Sequence, residues 1–157
     1  MATPPDVPIT PEGLADVNRE LQHLVSVRRP DIVARIKAAR EHGDLSENFE
    51  YHSARNEQSF IETRIRQLEA IVKNHVLIEA RSASDKVELA STVTLVEEDR
   101  PEEKYRIVGP AEADPAAGRV SFESAMGRAL LGHRVGEEVE VHTPAGGSYR
   151  IRILSIE

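Results

Sequence analysis

Three carboxylates lie close together near the middle of the first half of the chain and could bind a hard cation. Asp44, Glu47 and Glu50 fall within residues 43–51. Carboxylate oxygens suit Mg²⁺, which takes about six oxygen ligands and usually keeps several waters. Two carboxylates therefore make half such a site, and a partner or substrate phosphates would supply the rest. Carboxylates that one protein supplies to the active site of another can hold the second ion of a two-metal phosphodiester site and orient its water.

The same acids also fit a structural role. Asp44 and Glu47 have the spacing of a capping box, in which the first caps a helix and the second reaches back to a backbone amide. This interpretation explains the acids but not their position between two long helical patterns. A zinc site is not indicated, because His42 and His52 flank different helix ends without a recognisable ligand spacing.

The acidic segment is positioned by two predicted helices. The first opens with Thr10 and Pro11, and its apolar stripe resumes one position out of phase after Pro30, which predicts a kink or short break. The second keeps a three-four heptad spacing through Tyr51, Ala54, Gln58, Ile61, Ile65, Leu68 and Val72. The short connection requires an antiparallel hairpin, a rod about 45 Å long with an acidic tip.

After residue 85 the apolar residues alternate as they do in strands. We predict strands at 91–96, 104–108, 119–123, 137–142 and 148–156, a short helix at 124–131 and a hairpin turn at 144–147. The predicted fold class is α+β with two domains. An antiparallel coiled-coil hairpin covers 1–80 with its tip at 43–50, a linker covers 81–85, and a globular domain of antiparallel strands covers 86–157.

Composition and charge favour a cytoplasmic protein with a protein partner. The 157 residues are 39% hydrophobic and 30% charged and contain no Cys, and we see neither a signal peptide nor a membrane span. Through Glu79 there are 10 basic and 13 acidic side chains, and after it 10 and 14. Neither half has the basic excess of an autonomous nucleic-acid binder.

Four segments resemble the Gre family of bacterial transcript cleavage factors: SVRRP (26–30), AREHGDLSEN (39–48), EYHSAR (50–55) and YRIVG (105–109). The resemblance covers nearly the whole chain in the family's order. It implies an N-terminal coiled coil and a C-terminal domain of FKBP-like fold that docks at the rim of the secondary channel of RNA polymerase. The coiled coil would enter that channel and help the polymerase cleave backtracked RNA, so the polymerase is the catalyst.

The resemblance also implies residue roles. Asp44 and Glu47 match the two tip acids that stabilise the second Mg²⁺ and its water, only in the complex with polymerase. Arg40 and Arg55 match a small basic patch facing the RNA, and its small size favours the GreA branch over GreB. Four neighbours could support the tip: Ser46 and Asn48 as turn and cap residues, Glu50 near the positive helix end, and Tyr51 by stacking or by core packing. We expect a monomer that holds no ion tightly by itself.

Other functions remain open at this point. A binding-only regulator that occupies the channel would need the rod but not the acids. An independent peptidyl-prolyl isomerase is disfavoured because the chain has only three Phe, three Tyr and no Trp. An isolated nuclease is disfavoured because the tip offers too few ligands and no general-base arrangement. Ala125 stands where many family members carry proline, which could alter the loop that touches polymerase.

Overall fold

The chain forms two compact units. The computed structural model describes residues 6–43, 48–79 and 85–157. One unit is Leu14–Asn74, and the other joins the N-terminal segment through Gly13 to His75–Glu157. The hairpin was expected to cover 1–80, whereas the segments 6–13 and 75–79 lie in the globular unit. In the described part of the chain no helix is long and apolar enough to cross a membrane.

The helical unit is an antiparallel hairpin. Its elements are α1 (Pro11–His23), a π-helical turn (Leu24–Arg28), α2 (Arg29–Arg40) and α3 (Phe49–Asn74). The predicted heptad stripe of α3 is buried at four positions and half-buried at Tyr51, Gln58 and Val72. It packs with α2 in a core made of Ile32, Ile36, Ala54, Ile61 and Ile65. The burial of one apolar stripe per helix is what stabilises such a hairpin.

The π-helical turn explains the phase shift of the apolar stripe around Pro30. The backbone N–H of Arg29 bonds to the carbonyl of Leu24, five residues earlier, and the flanking residues keep helical dihedral angles. A π turn inserts one extra residue into a helix, so the later apolar positions move one place along. Pro30 lies in the first turn of α2. The helix is therefore re-phased there, without the break that was one of the predicted outcomes.

Two bidentate ion pairs cross the hairpin and fix its register. Arg29 binds Glu62 at 2.8 and 2.9 Å, and Arg64 binds Glu20 at 2.7 and 2.9 Å. The hydrogen bond from Arg29 lowers the pKa of Glu62, and the hydrogen bond from Arg64 lowers the pKa of Glu20. Both carboxyls therefore stay ionised below their usual titration range and keep these pairs intact in mildly acidic solution.

The globular unit contains a five-stranded sheet. Its strands are β3 (Thr92–Glu97), β4 (Glu103–Val108), β5 (Arg119–Ser121), β6 (Glu138–His142) and β7 (Ser148–Ile156), and a short helix α4 (Ala125–Leu130) follows β5. Across the sheet the strand order is β5-β4-β3-β7-β6. All five predicted strands and the helix are confirmed within two residues. The expectation of purely antiparallel strands is wrong at one edge, because β4 and β5 pair in parallel.

A second, two-stranded sheet was not predicted. Strand β1 (Val7–Ile9) pairs in parallel with β2 (His75–Leu77). Gly109 lies against this sheet so closely that a Cβ there would clash with the carbonyl oxygen of Pro8. Each strand has only three residues, and β1 contains a proline, so neither carries a strand signal that sequence patterns detect.

Glu112 binds Thr10 at the start of α1, and both residues belong to the globular unit. Its carboxylate accepts hydrogen bonds from the backbone N–H of Thr10 at 2.8 Å and from the Thr10 hydroxyl. The same Thr10 hydroxyl accepts a bond from the N–H of Gly13, so it caps α1. Thr10 is fully buried. The carboxylate therefore satisfies a buried backbone donor and orients a helix cap.

We expect Glu112→Ala to lower the free energy of unfolding by about 1–3 kcal/mol, because it leaves the buried N–H of Thr10 without an acceptor. Urea unfolding of the full-length protein measures this loss. Glu102→Ala is the control, because Glu102 is exposed and its replacement by alanine removes the same charge. Equal stability of the two variants would show that Glu112 has no anchoring role.

Candidate functional site in the turn of the helical hairpin

The candidate site lies where the two arms of the hairpin are connected. Helix α2 ends at Arg40 and α3 begins at Phe49. The two ends are joined directly, because the side-chain amide of Asn48 donates a 2.7 Å hydrogen bond to the carbonyl of Ala39. Gly43 has a φ of +107°, which favours glycine. The predicted tip residues 44–47, which include Asp44, Ser46 and Glu47, lie outside the described residues.

Asn48 is the cap of α3. Its side-chain oxygen accepts a 3.1 Å hydrogen bond from the backbone N–H of Tyr51, three residues into the helix. In the capping-box interpretation, position 44 would have capped this helix. Since α3 begins at Phe49, that interpretation places the cap four residues too early. The first turn of α3 therefore needs neither Asp44 nor Glu47 as its cap.

We expect Asn48→Ala to destabilise the hairpin by about 1 kcal/mol or more, because the cap and the bond between the two helix ends are both lost. Asn48→Asp retains the oxygen that caps Tyr51 but loses the N–H that binds Ala39, so it should cost less. Denaturant unfolding followed by helical circular dichroism measures both. The assignment fails if the alanine variant is as stable as the unchanged protein.

Tyr51 packs into the hairpin. It is half-buried against the apolar core of the hairpin, and the guanidinium of Arg40 lies 5.9 Å from its ring centre. The rings of Tyr51 and His52 pack edge to face, with their centres 5.5 Å apart. Of the two roles expected for Tyr51, these contacts favour core packing over stacking on a base. The ring also helps to position Arg40 by a cation–π contact.

The structure brings Arg40 and Arg55 together. Both line a groove of about 340 Å³ on one side of the hairpin, formed where α2 and α3 face each other. Arg55 also lies within 3.4 Å of the side-chain oxygen of Gln58. Two guanidinium groups that share a groove can contact neighbouring phosphates of one strand. The phosphate-contacting role that the resemblance implied for them stays a prediction.

A second groove of about 320 Å³ contains a residue that the sequence analysis missed. Phe49, the first residue of α3, lines it together with His42 and Glu50, and its side chain is 81% exposed. No periodic pattern marks Phe49, because it precedes the heptad stripe. Phe49 is thus an exposed apolar side chain beside the acidic segment.

Glu50 is the one predicted tip carboxylate within the described residues. It is exposed in the first turn of α3. Across residues 6–43, 48–79 and 85–157, no group of three or more acidic or histidine side chains is arranged to hold a metal ion. The donors that suit Mg²⁺ here are carboxylate oxygens, and even with Asp44 and Glu47 the remaining positions would fall to water, a partner or phosphate.

Two grooves of the globular unit bear on the isomerase alternative. One is lined by Glu97, Glu98, Asp99, Arg100, Glu138, Arg150 and Arg152 with two apolar residues, and the other by α4 and the turn after β6. Neither groove has a Phe, Tyr or Trp side chain in its lining. The first is lined mainly by charged side chains, whereas most small-molecule sites are lined mainly by apolar and aromatic ones. These two grooves give the isomerase interpretation no support.

Ala125, which departs from the family pattern, begins α4. The hydroxyl of Ser124 caps this helix by accepting a 3.1 Å hydrogen bond from the N–H of Gly127. The first position of a helix accepts proline as readily as alanine, since its N–H has no partner within the helix. The departure therefore leaves the start of α4 intact.

Two family models together match most of the chain. The model described as "Transcription elongation factor, N-terminal" matches residues 7–77, and "Transcription elongation factor, GreA/GreB, C-term" matches residues 82–157. The first covers the helical hairpin with strands β1 and β2, and the second covers the five-stranded sheet.

Curated relatives agree over the full length. The transcription elongation factor GreA of Bacillus cytotoxicus is 48% identical, with all of both chains aligned, and that of a Jannaschia species is 50% identical over 96% of each chain. Among solved structures, the GreA factor homolog 1 of Thermus thermophilus is 29% identical over 98% of this chain and 99% of its own, with a TM-score of 0.46. By its two matched models and these relatives, the chain belongs to the GreA/GreB family of transcription elongation factors.

Proposed function

We propose that this protein is an accessory factor of RNA polymerase that stimulates the polymerase's own cleavage of backtracked RNA. In this proposal Asp44 and Glu47 are donated to the polymerase active site, and the protein acts in the cytoplasm. Family membership and the GreA relatives support the general role. The roles of individual residues rest on their chemistry and position.

The observation that carries the proposal is the cap of α3. Asn48 satisfies the N–H of Tyr51 and also binds the end of α2. The helix does not depend on Asp44 or Glu47 for its cap, so stability alone does not account for two acids in this short connection. A role in a partner's active site does account for them.

The described residues would contribute in two ways. Arg40 and Arg55 would bind phosphates of the extruded RNA, which positions the strand without reading its sequence. Asn48 would hold the ends of α2 and α3 together and so limit the positions that the acids can take. Mg²⁺ in the shared site would supply Lewis-acid chemistry and activate water. Asp44 and Glu47 would add carboxylate oxygens to that site, with Glu50 nearby.

RNA cleavage in a purified, backtracked polymerase complex tests this function. Adding the protein should accelerate removal of the RNA 3′ segment, while the protein without polymerase should cleave nothing. Cleavage by the protein with Mg²⁺ alone would instead indicate a nuclease. Inhibition of nucleotide addition without any stimulated cleavage would indicate the channel-occupying regulator.

A further inference from the structure

The groove that contains Arg40 and Arg55 holds a third cation that has so far been given no role. Lys37 lines it as well, together with Gln58 and the apolar side chains of Val33 and Ile36. Lys37 and Arg40 are three residues apart on α2, so they lie on the same face about 5–6 Å apart at their Cβ atoms. Arg55 approaches from α3.

The groove cations differ from most arginines of the hairpin in their partners. Arg28 and Arg35 share the carboxylate of Glu57, at 2.7 and 2.6 Å. Three other arginines are also paired with acids: Arg19 with Asp16, Arg29 with Glu62, and Arg64 with Glu20.

By contrast, the ion pairs found among the described residues include none to Lys37, Arg40 or Arg55. Arg40 lies over the ring of Tyr51, and Arg55 contacts the neutral Gln58. Among the residues that the structure describes, three cations with no carboxylate at ion-pair distance therefore share one groove next to the hairpin turn. Such a cluster repels itself and is stabilised by an anionic ligand.

We propose that Lys37 binds a third phosphate and so extends the RNA-binding groove of this chain. The inference deepens the proposed function and rests on it. The strand would follow α2, with neighbouring phosphates at Lys37 and Arg40, while Val33, 50% exposed, offers an apolar surface to a sugar or base. A flexible ammonium group suits such a contact because it binds phosphate as a point charge.

The experiment measures binding without cleavage. Every variant is made in the Asp44→Asn background, and its affinity is measured for polymerase complexes with a long extruded RNA 3′ segment and for complexes with none. We expect Lys37→Ala to weaken binding about fivefold at low salt with extruded RNA and to leave binding unchanged without it. The slope of log affinity against log salt should fall by about 0.7, the value for one phosphate of a single strand.

Two matched variants make the result specific. Lys37→Arg should restore the affinity, because it restores the charge. Lys73→Ala removes the same charge from the last turn of α3 and should have no effect. The proposal is overturned if Lys37→Ala weakens both complexes equally, which would place Lys37 against polymerase, or if it weakens neither. Since binding is the readout, these outcomes are separate from the absence of stimulated cleavage, which would overturn the proposed function.

Discussion

Asp44→Asn and Glu47→Gln should each reduce factor-stimulated RNA cleavage about 100-fold to 1,000-fold while leaving polymerase binding unchanged. That range is typical of removing one preorganised electrostatic contact to an active site. Both substitutions keep the size of the side chain and remove only its charge. The cleavage rate is measured at a saturating concentration of each variant, so that a loss of affinity cannot account for the result.

Glu50→Gln is the matched control for those two variants. Glu50 is an exposed acid in the first turn of α3, and its loss changes the local net charge by the same amount. We expect Glu50→Gln to change the stimulated cleavage rate by no more than a few fold. The negative charge of Glu50 chiefly stabilises α3 by interacting with the positive N-terminal end of the helix. If all three variants stimulate cleavage as well as the unchanged protein does, Asp44 and Glu47 do not take part in the polymerase active site. The hairpin would then act by occupying the channel.

Ile65→Ala should lower the free energy of unfolding of the hairpin by about 2–5 kcal/mol. Ile65 is almost completely buried in the core between α2 and α3, so truncation loses apolar contacts and leaves a cavity. Helical circular dichroism during denaturant unfolding measures the change. Stimulated cleavage should fail at lower temperature in this variant, because the proposed site depends on a folded hairpin.

Val27→Ala is the control for Ile65→Ala. Val27 is about half exposed and lies in the π-helical turn. It should change the stability by less than about 0.5 kcal/mol, as surface substitutions usually do. If Val27→Ala were as costly as Ile65→Ala, the hairpin would be stabilised mainly at the π turn and not by its buried stripe.

The elements with strong periodicity could be predicted from the sequence. The three-four spacing of α3 and the alternation of the later strands each report burial of one face, which is the physical cause of both patterns. Ala54, Ile61, Ile65 and Leu68 are buried as that spacing required. The same reasoning located Pro30 as an irregularity. It offered a kink or a short break and did not include a π turn, which adds one residue to the helix without interrupting it.

The elements that were missed depend on contacts far apart in the chain. Strand β1 contains Pro8 and pairs with β2, almost seventy residues later. The parallel pairing of β5 with β4 follows a long connection through two 3₁₀ turns, Pro110–Glu112 and Pro115–Ala117. Local patterns do not encode such pairings.

The candidate site was predictable in part. Residue chemistry and family resemblance proposed its acids and its two arginines, and their roles stay predictions. The resemblance did not single out Lys37, and periodicity did not single out Phe49. The hydrogen bond from the Asn48 side-chain amide to the carbonyl of Ala39 joins the cap of α3 to the end of α2. Such a contact emerges only once the hairpin is folded.

The most direct test of the account is the Mg²⁺ dependence of RNA cleavage by backtracked polymerase. The rate is titrated with Mg²⁺ for polymerase alone, with the unchanged protein, and with a variant that combines Asp44→Asn and Glu47→Gln. If the acids complete a shared site, the unchanged protein lowers the Mg²⁺ concentration needed for half-maximal cleavage, and the double variant returns it to the value for polymerase alone. An identical Mg²⁺ dependence in all three titrations would contradict the account.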